Sequence, residues 1–340
     1  MPSSTSSSDT LPRLRWRWVW LLAILIAASI VVAVEWHWRG LGYRPNIRDS
    51  SQLWSLQRDR VYASKKIPLV LLGASRIEFG VDTKLLARML PKYLPIMLAQ
   101  NAHYPLAALR DLARDADFHG VVICDIESNG LTETYRDMQQ PLVDYYHTQW
   151  SPSWHLHRLL LTLWQKYAVV ADPQLGVVAT LLRLINAQAP PQQEYFRFHA
   201  DRSGDIDYSK TDVAAARRHF DDMVTQGKVP HALASADAWV AGLAPVYAWA
   251  QQIRARGGEV IFYRSPTSGV LPKAEAIMYP PDQYWNRFVA MSPAPVVDAA
   301  AIPTLSAFKQ PDDSHLDFRD KPAYTRALVD VLVARGLVKH

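Results

Sequence analysis

Ile67-Pro68-Leu69-Val70-Leu71-Leu72-Gly73-Ala74-Ser75-Arg76 is an apolar run closed by a glycine and followed at once by small and polar residues. A short apolar run bounded by a turn signal reads as a buried strand, and Pro68 is tolerated near its start. Downstream, residues 83–90 have helical periodicity, 95–98 form a second short strand, and 105–115 form a helix with Pro105 in its first turn. The β-branched run Val121-Val122-Ile123-Cys124-Asp125-Ile126 is a third strand. Strand and helix in alternation predict an α/β fold, a three-layer sandwich around a central parallel sheet. A fourth strand is expected at 259–263 and a fifth at 296–298. The last helix is expected at 322–335, with Asp320 as N-cap and Gly336 as stop.

Between the third and fourth strands the pattern changes. Residues 139–187 are rich in Trp, Tyr, His and Leu at helical spacing, and 188–207 are polar with paired prolines. Helices are expected at 212–227 and 235–256. We read about 130–230 as a helical insertion in a domain spanning 65–340. Upstream, 1–16 is a Ser/Thr-rich stretch expected to be a disordered cytoplasmic tail, 17–38 a transmembrane helix, and 39–64 a connector with a short helix at 52–62. The uncharged core of the apolar segment, 18–34, is about 26 Å long against a hydrocarbon thickness of about 30 Å. Trp16, Trp36 and Trp38 extend it into the interfaces, and Arg17 can snorkel. A cleaved signal peptide is the alternative, but the apolar region is long for one and no small-x-small site precedes Glu35. Arg13, Arg15 and Arg17 lie on one flank and Arg39, Arg44 and Arg48 on the other. The first three are closest to the membrane, so the N-terminus is placed in the cytoplasm. The domain is then extracytoplasmic, periplasmic in a bacterium, on a single-pass protein of the inner membrane.

The chain has 340 residues, a formal net charge of +5 and one cysteine, Cys124. A lone cysteine excludes an internal disulfide and any cysteine-cluster metal site. No basic stripe with interleaved aromatics points to nucleic acid. No cofactor is implied.

Two segments carry chemistry. Ser75 follows a buried strand directly, where ligands of open parallel sheets bind. Read alone, it is also a turn residue or helix cap. Near the other end stands Asp312-Asp313-Ser314-His315. An Asp three residues before a His on a tight loop can orient the imidazole and stabilise its protonated form. Other readings are a solvated loop, or a metal site from Asp312, Asp313, His315 and Asp317, although no matching cluster stands elsewhere. A serine hydroxyl needs such a base before it is a useful nucleophile.

A nucleophile after the first strand with acid and base together on the last loop resembles the SGNH (GDSL-like) hydrolase superfamily. The likeness covers 65–128 and 258–335. It is strongest to membrane-anchored variants that modify envelope polysaccharides, such as the alginate and teichoic-acid acylation proteins. Gly73-Ala74-Ser75-Arg76 here replaces Gly-Asp-Ser-Leu. The resemblance implies a catalytic Ser75, His315 as base and Asp312 as its orienter. It also implies oxyanion donors after strands two and three. Asn101 or the Ala102 N–H stands at the first place. Asn129, which also reads as an Asn-Gly turn, stands near the second. Arg76 is a candidate for substrate binding, or a surface ion pair. The expected function is a membrane-anchored serine esterase or O-acyltransferase acting on an acylated carbohydrate or other ester, beside the lipid bilayer and with a membrane-bound acyltransferase as a possible partner. The alternative is a non-catalytic protein of the same fold that binds glycan or such a partner.

Overall fold

A computed structural model describes residues 16–225 and 235–339. Of the tail read at 1–16 only Trp16 falls within these, so Arg13 and Arg15 lie outside them, as does the end of the helix expected at 212–227. The chain divides into two compact units, one holding residues up to Asn46 with Leu163–Gln193, the other Ile47–Thr162 with Glu194 onward.

The strands are β1 (Ile67–Leu72), β2 (Tyr93–Met97), β3 (Val121–Asp125), β4 (Phe196–Phe198), β5 (Gly204–Ile206), β6 (Glu259–Arg264) and β7 (Val296–Asp298). The helices are α1 (Trp16–Gly40), α2 (Ser51–Asp59), α3 (Ser75–Gly80), α4 (Thr83–Met89), α5 (Leu106–Arg114), α6 (Gln140–Thr148), α7 (Pro152–Tyr167), α8 (Val177–Ile185), α9 (Val213–Thr225), α10 (Ala236–Ala241), α11 (Ala244–Ala255), α12 (Leu271–Met278), α13 (Trp285–Met291), α14 (Pro303–Ser306) and α15 (Lys321–Ala334).

In the second unit, β2-β1-β3-β6-β7 form a five-stranded sheet, every pairing parallel. With the separate β4–β5 hairpin set aside, this is the doubly wound order 2-1-3-4-5. Side chains alternate across the sheet. Val70, Leu72, Ile96, Val122, Cys124, Val260 and Phe262 face α5 and α11 through Leu109, Leu112, Trp249 and Ile253. Leu69, Leu71, Met97, Ile123, Ile261 and Val297 face α4 and α15 through Leu86, Leu328 and Leu332. Burial on both faces explains why β1 and β3 read as continuous apolar runs rather than alternating ones. The expected α/β architecture with a central parallel sheet is present.

Two local expectations are corrected and a third is qualified. Residues 235–256 are not one helix but α10 and α11, because Pro245 lacks an N–H and restarts the helix in its first turn. The polar stretch 188–207 contains the antiparallel hairpin β4–β5, whose Phe196, Phe198 and Ile206 pack with Phe79. Alternation in Tyr195-Phe196-Arg197-Phe198 was its signal. Asp320 occupies the N-cap of α15, yet its side chain makes no capping bond. Gly336 does end that helix, at φ +67°. The connector's helix, α2, buries Leu53, Trp54 and Leu56.

In the first unit, α1 is the one helix among the described residues that is long and apolar enough to cross a membrane. Its 25 residues span about 37 Å. Beyond its apolar run, the indole of Trp38 is buried with Val169 and Leu175 and donates to Thr180 Oγ1 at 2.8 Å.

Candidate active site

β1 delivers the chain to Gly73, which adopts φ +154°, and a Cβ there would lie 2.6 Å from Ile77 Cγ2 and 2.8 Å from Asp125 Cβ. Only glycine allows so close an approach of the turn to β3. Ala74 then takes the N-cap and Ser75 opens α3, so Ser75 is not itself the cap. It stands at the carboxyl ends of β1 and β3. There the strand order reverses, with β2 on one side and β6 and β7 on the other.

The segments that were far apart in the chain meet here. Ser75 Oγ lies 2.7 Å from His315 Nε2, and His315 Nδ1 lies 2.8 Å from Asp312 Oδ2. Asp312 Oδ1 accepts from the N–H groups of Ser314 at 3.0 Å and His315 at 2.7 Å, which closes the loop and fixes the carboxylate against the ring. With Nδ1–H donated to Asp312, Nε2 presents its lone pair to the serine hydroxyl. Phe79 and Phe220 flank the imidazole, with ring centroids 6.4 Å and 6.2 Å away. Asp313 is held apart at φ +71°, accepting from Ser268 Oγ at 3.2 Å. Asp317 accepts from Tyr208 N and Arg319 Nε. Neither turns toward His315, and among the described residues no cluster of metal-ligating side chains forms.

Burial alone would raise the Asp312 carboxyl, but the imidazole of His315, by hydrogen bond and by charge, holds it at about 2 against an ordinary 3.8. The buried Tyr208 hydroxyl lies beside it, outside hydrogen-bond geometry, and is raised by burial and by that carboxylate. A depressed folded-state pKa contributes stability that is complete above the unfolded value and lost as pH falls through the folded one. We therefore expect Asp312→Asn to be less stable than wild type by about 2 kcal/mol at pH 5, the difference shrinking as pH falls through about 2 and vanishing near pH 1. Denaturant unfolding of both proteins across that range checks it; a pH-independent difference would contradict it.

Ser75 and His315 open into a cavity of about 470 Å³, and Arg76, Asn101, Ala102 and Asn129 line the same cavity. Phe220, Leu271 and Met278 add an apolar wall. Arg76 is committed: it pairs with Glu127, and its Nε donates to Ser314 Oγ at 3.2 Å. It thus ties the end of β3 to the His315 loop. Burial opposes the charge on Glu127, but Arg76 overrides it and holds the carboxyl below the usual range. Tyr104 donates to Glu127 Oε1 at 2.7 Å and accepts from Asn129 Nδ2 at 3.1 Å. Asn129 Oδ1 accepts from Tyr279 at 2.9 Å. That leaves the Asn129 amide oriented by two tyrosines. Deeper in, Asp125 accepts from the Ser265 N–H at 2.9 Å and hydroxyl at 2.8 Å. Burial pushes its carboxyl up to about 6, despite the opposing pull of Arg76 and Ser265.

Ala102 sits in a turn closed by His103 N donating to Gln100 O at 3.0 Å, at φ +61°. The left-handed region costs an alanine about 1–2 kcal/mol, and glycine returns part of that as unfolded-state entropy. Ala102→Gly is expected to raise stability by about 0.5–1 kcal/mol, measured by denaturant unfolding. A loss would show that the turn is stabilised by the methyl group.

The sequence reading missed what holds this turn. Gln139, fully buried, donates to Gly73 O at 3.1 Å and to His103 O at 3.0 Å, clamping the Gly73–Ser75 turn to the Ala102 turn. Beneath lies Arg202, wholly inaccessible and at φ +66°. It grips Asp49 with Nε at 2.7 Å and a terminal nitrogen at 2.6 Å, and donates to Ala99 O and Gln100 Oε1, each at 2.7 Å. The same guanidinium lies 3.5 Å from Glu78 on α3. Burial raises the Glu78 carboxyl well above its ordinary value, against the opposing pull of Arg202 and of the nearby Asn101 backbone. The only sequence signal was Glu78 set between the apolar Ile77 and Phe79 of α3.

The chain matches no protein-family model and no curated protein sequence.

Proposed function

We propose that this chain is a membrane-anchored serine esterase or O-acyltransferase of the cell envelope, an SGNH-like hydrolase in which Ser75, His315 and Asp312 form the catalytic triad. The observation that carries this reading is the continuous relay from Ser75 through His315 to Asp312, opening into a cavity at the switch point of the sheet. In the reaction, His315 Nε2 takes the Ser75 proton as Oγ attacks an ester carbonyl, and Asp312 stabilises the imidazolium. In this reading the tetrahedral oxyanion is met by the backbone N–H groups of Ser75 and Ala102 and by the Asn129 amide hydrogen not given to Tyr104, all three residues lining the cavity. His315 then returns the proton to the departing alcohol, leaving acyl-Ser75. Water or a sugar hydroxyl, deprotonated by the same imidazole, completes the cycle.

Leu271, Met278 and Phe220 suit a short acyl group. The Arg76 charge is cancelled by Glu127, which favours an uncharged acceptor such as a glycan hydroxyl over an anion. In this reading α1 is a single-pass anchor with its N-terminus in the cytoplasm. The domain then works outside, on acylated polysaccharide alongside a membrane-bound acyltransferase. The test is release of p-nitrophenol from p-nitrophenyl acetate by the full chain in detergent, with and without an oligosaccharide acceptor. Acyl transfer predicts acetylated sugar in proportion to the acceptor. Hydrolysis predicts acetate alone. Neither product above the uncatalysed rate would oppose both.

A further inference from the structure

We propose that α8 is a second membrane contact, an amphipathic helix that lies in the interface of the same bilayer entered by α1. Val178, Leu181, Leu182 and Ile185 recur at the i, i+3, i+4, i+7 spacing of one helix face. Val178 and Ile185 are 71% and 77% exposed, although both are fully apolar. The opposite face is the one that packs. Thr180 is buried there, accepting the Trp38 indole N–H at 2.8 Å. A nine-residue helix that buries a threonine and exposes its aliphatic stripe is inverted for water and right for lipid.

The occupant follows from where α8 is fastened. Glu35, one residue past the uncharged run of α1, accepts from the N–H groups of Val169 at 3.0 Å and Val170 at 2.9 Å. Arg39 donates to Tyr167 O at 2.7 Å, and Gln193 Nε2 to Leu41 O at 2.8 Å. The segment carrying α8 is thus stitched at several points to the end of the apolar helix, where a bilayer surface would stand if α1 crosses it. Trp36, Trp164 and Tyr167 are exposed in this same unit, the residue types that prefer the headgroup level. Over residues 35–46 and 163–193 the cations Arg39, Arg44, Lys166 and Arg183 outnumber the acids Glu35 and Asp172 by four to two, which suits anionic lipid. A helix so held would restrain the tilt and rotation of α1.

The inference does not depend on the catalytic reading, and one experiment separates it from the anchor. Single cysteines at Ala27, Leu181 and Ile185 of the full chain carry an environment-sensitive fluorophore, in vesicles of phosphatidylcholine and phosphatidylglycerol. The native Cys124 is buried, so the unsubstituted chain is the labelling blank. We expect Ala27 to be quenched by a deep spin-labelled lipid. Leu181 and Ile185 should be quenched by a shallow one and shielded from aqueous iodide. Iodide quenching at Leu181 and Ile185 overturns the proposal. Shielding there from both quenchers also overturns it and assigns the face to protein, a second copy or a partner. Quenching by shallow lipid at Ile185 without lipid quenching at Ala27 would also overturn it, because α1 would then not enter the bilayer that α8 is proposed to share.

Discussion

Ser75→Ala is expected to lower p-nitrophenyl acetate turnover by at least about a thousandfold while leaving the unfolding midpoint near that of wild type. The hydroxyl bonds His315 Nε2 and sits on the rim of a cavity, so its removal strands no deeply buried polar group. Alanine is a good residue for the first turn of α3, and Gly73 still sets the turn before it. The loss is chemical because no other hydroxyl replaces the attacking oxygen. His315→Ala should fall as far, and the double variant no further, since nucleophile and base act as one unit. Additive losses would mean that the two side chains contribute separately and that the relay is not a mechanism.

Arg202→Ala is expected to destabilise the protein by about 3–5 kcal/mol, the range for a buried pair left with one partner. Its guanidinium is wholly inaccessible and faces Asp49, Glu78, two backbone carbonyls and Gln100. Without it the buried Glu78 carboxyl, one oxygen of which already lacks a partner, loses its ion pair, and Asp49 loses both guanidinium hydrogen bonds. Because those contacts support the Gln100–His103 turn and α3, activity should fall at temperatures where the fold persists. Arg202→Lys should recover only part of the stability, since an ammonium cannot fork onto both Asp49 oxygens while reaching Ala99 and Gln100. Denaturant unfolding reads the effect. A loss below about 1 kcal/mol would show that the acids rearrange freely.

What was legible in the chain was local. The run 67–72 fixes β1 because an apolar hexapeptide closed by glycine has few alternatives, and the same logic found β3, β6 and β7. Asp312 and His315 were readable because three residues on a tight loop bring a carboxylate to an imidazole without help from the rest of the fold. That Ser75 meets them 240 residues away follows from chain order only through a parallel sheet, which the strand–helix alternation foretold. The rest depends on closure. Arg202 reaches Asp49 across 153 residues and Glu78 across 124, and no spacing rule marks such a pair. The left-handed turn at Ala102 carries no glycine to announce it. The hairpin at 196–206 was hidden by its length, three residues a side, inside a polar stretch. Arg76, a candidate for substrate binding on sequence grounds, is engaged by Glu127 from β3's exit, a contact visible only once β1 and β3 lie side by side.

The most direct test of the central claim is covalent. An activated serine with a free cavity in front of it should react with a fluorophosphonate probe, and an ordinary serine should not. We expect the full chain in detergent to take up one probe, located by peptide mass spectrometry on Ser75. Uptake should be abolished in Ser75→Ala and His315→Ala and weakened in Asp312→Asn. No uptake by the folded wild-type protein, or labelling that persists in His315→Ala, would contradict the assignment of Ser75, His315 and Asp312 as a working triad.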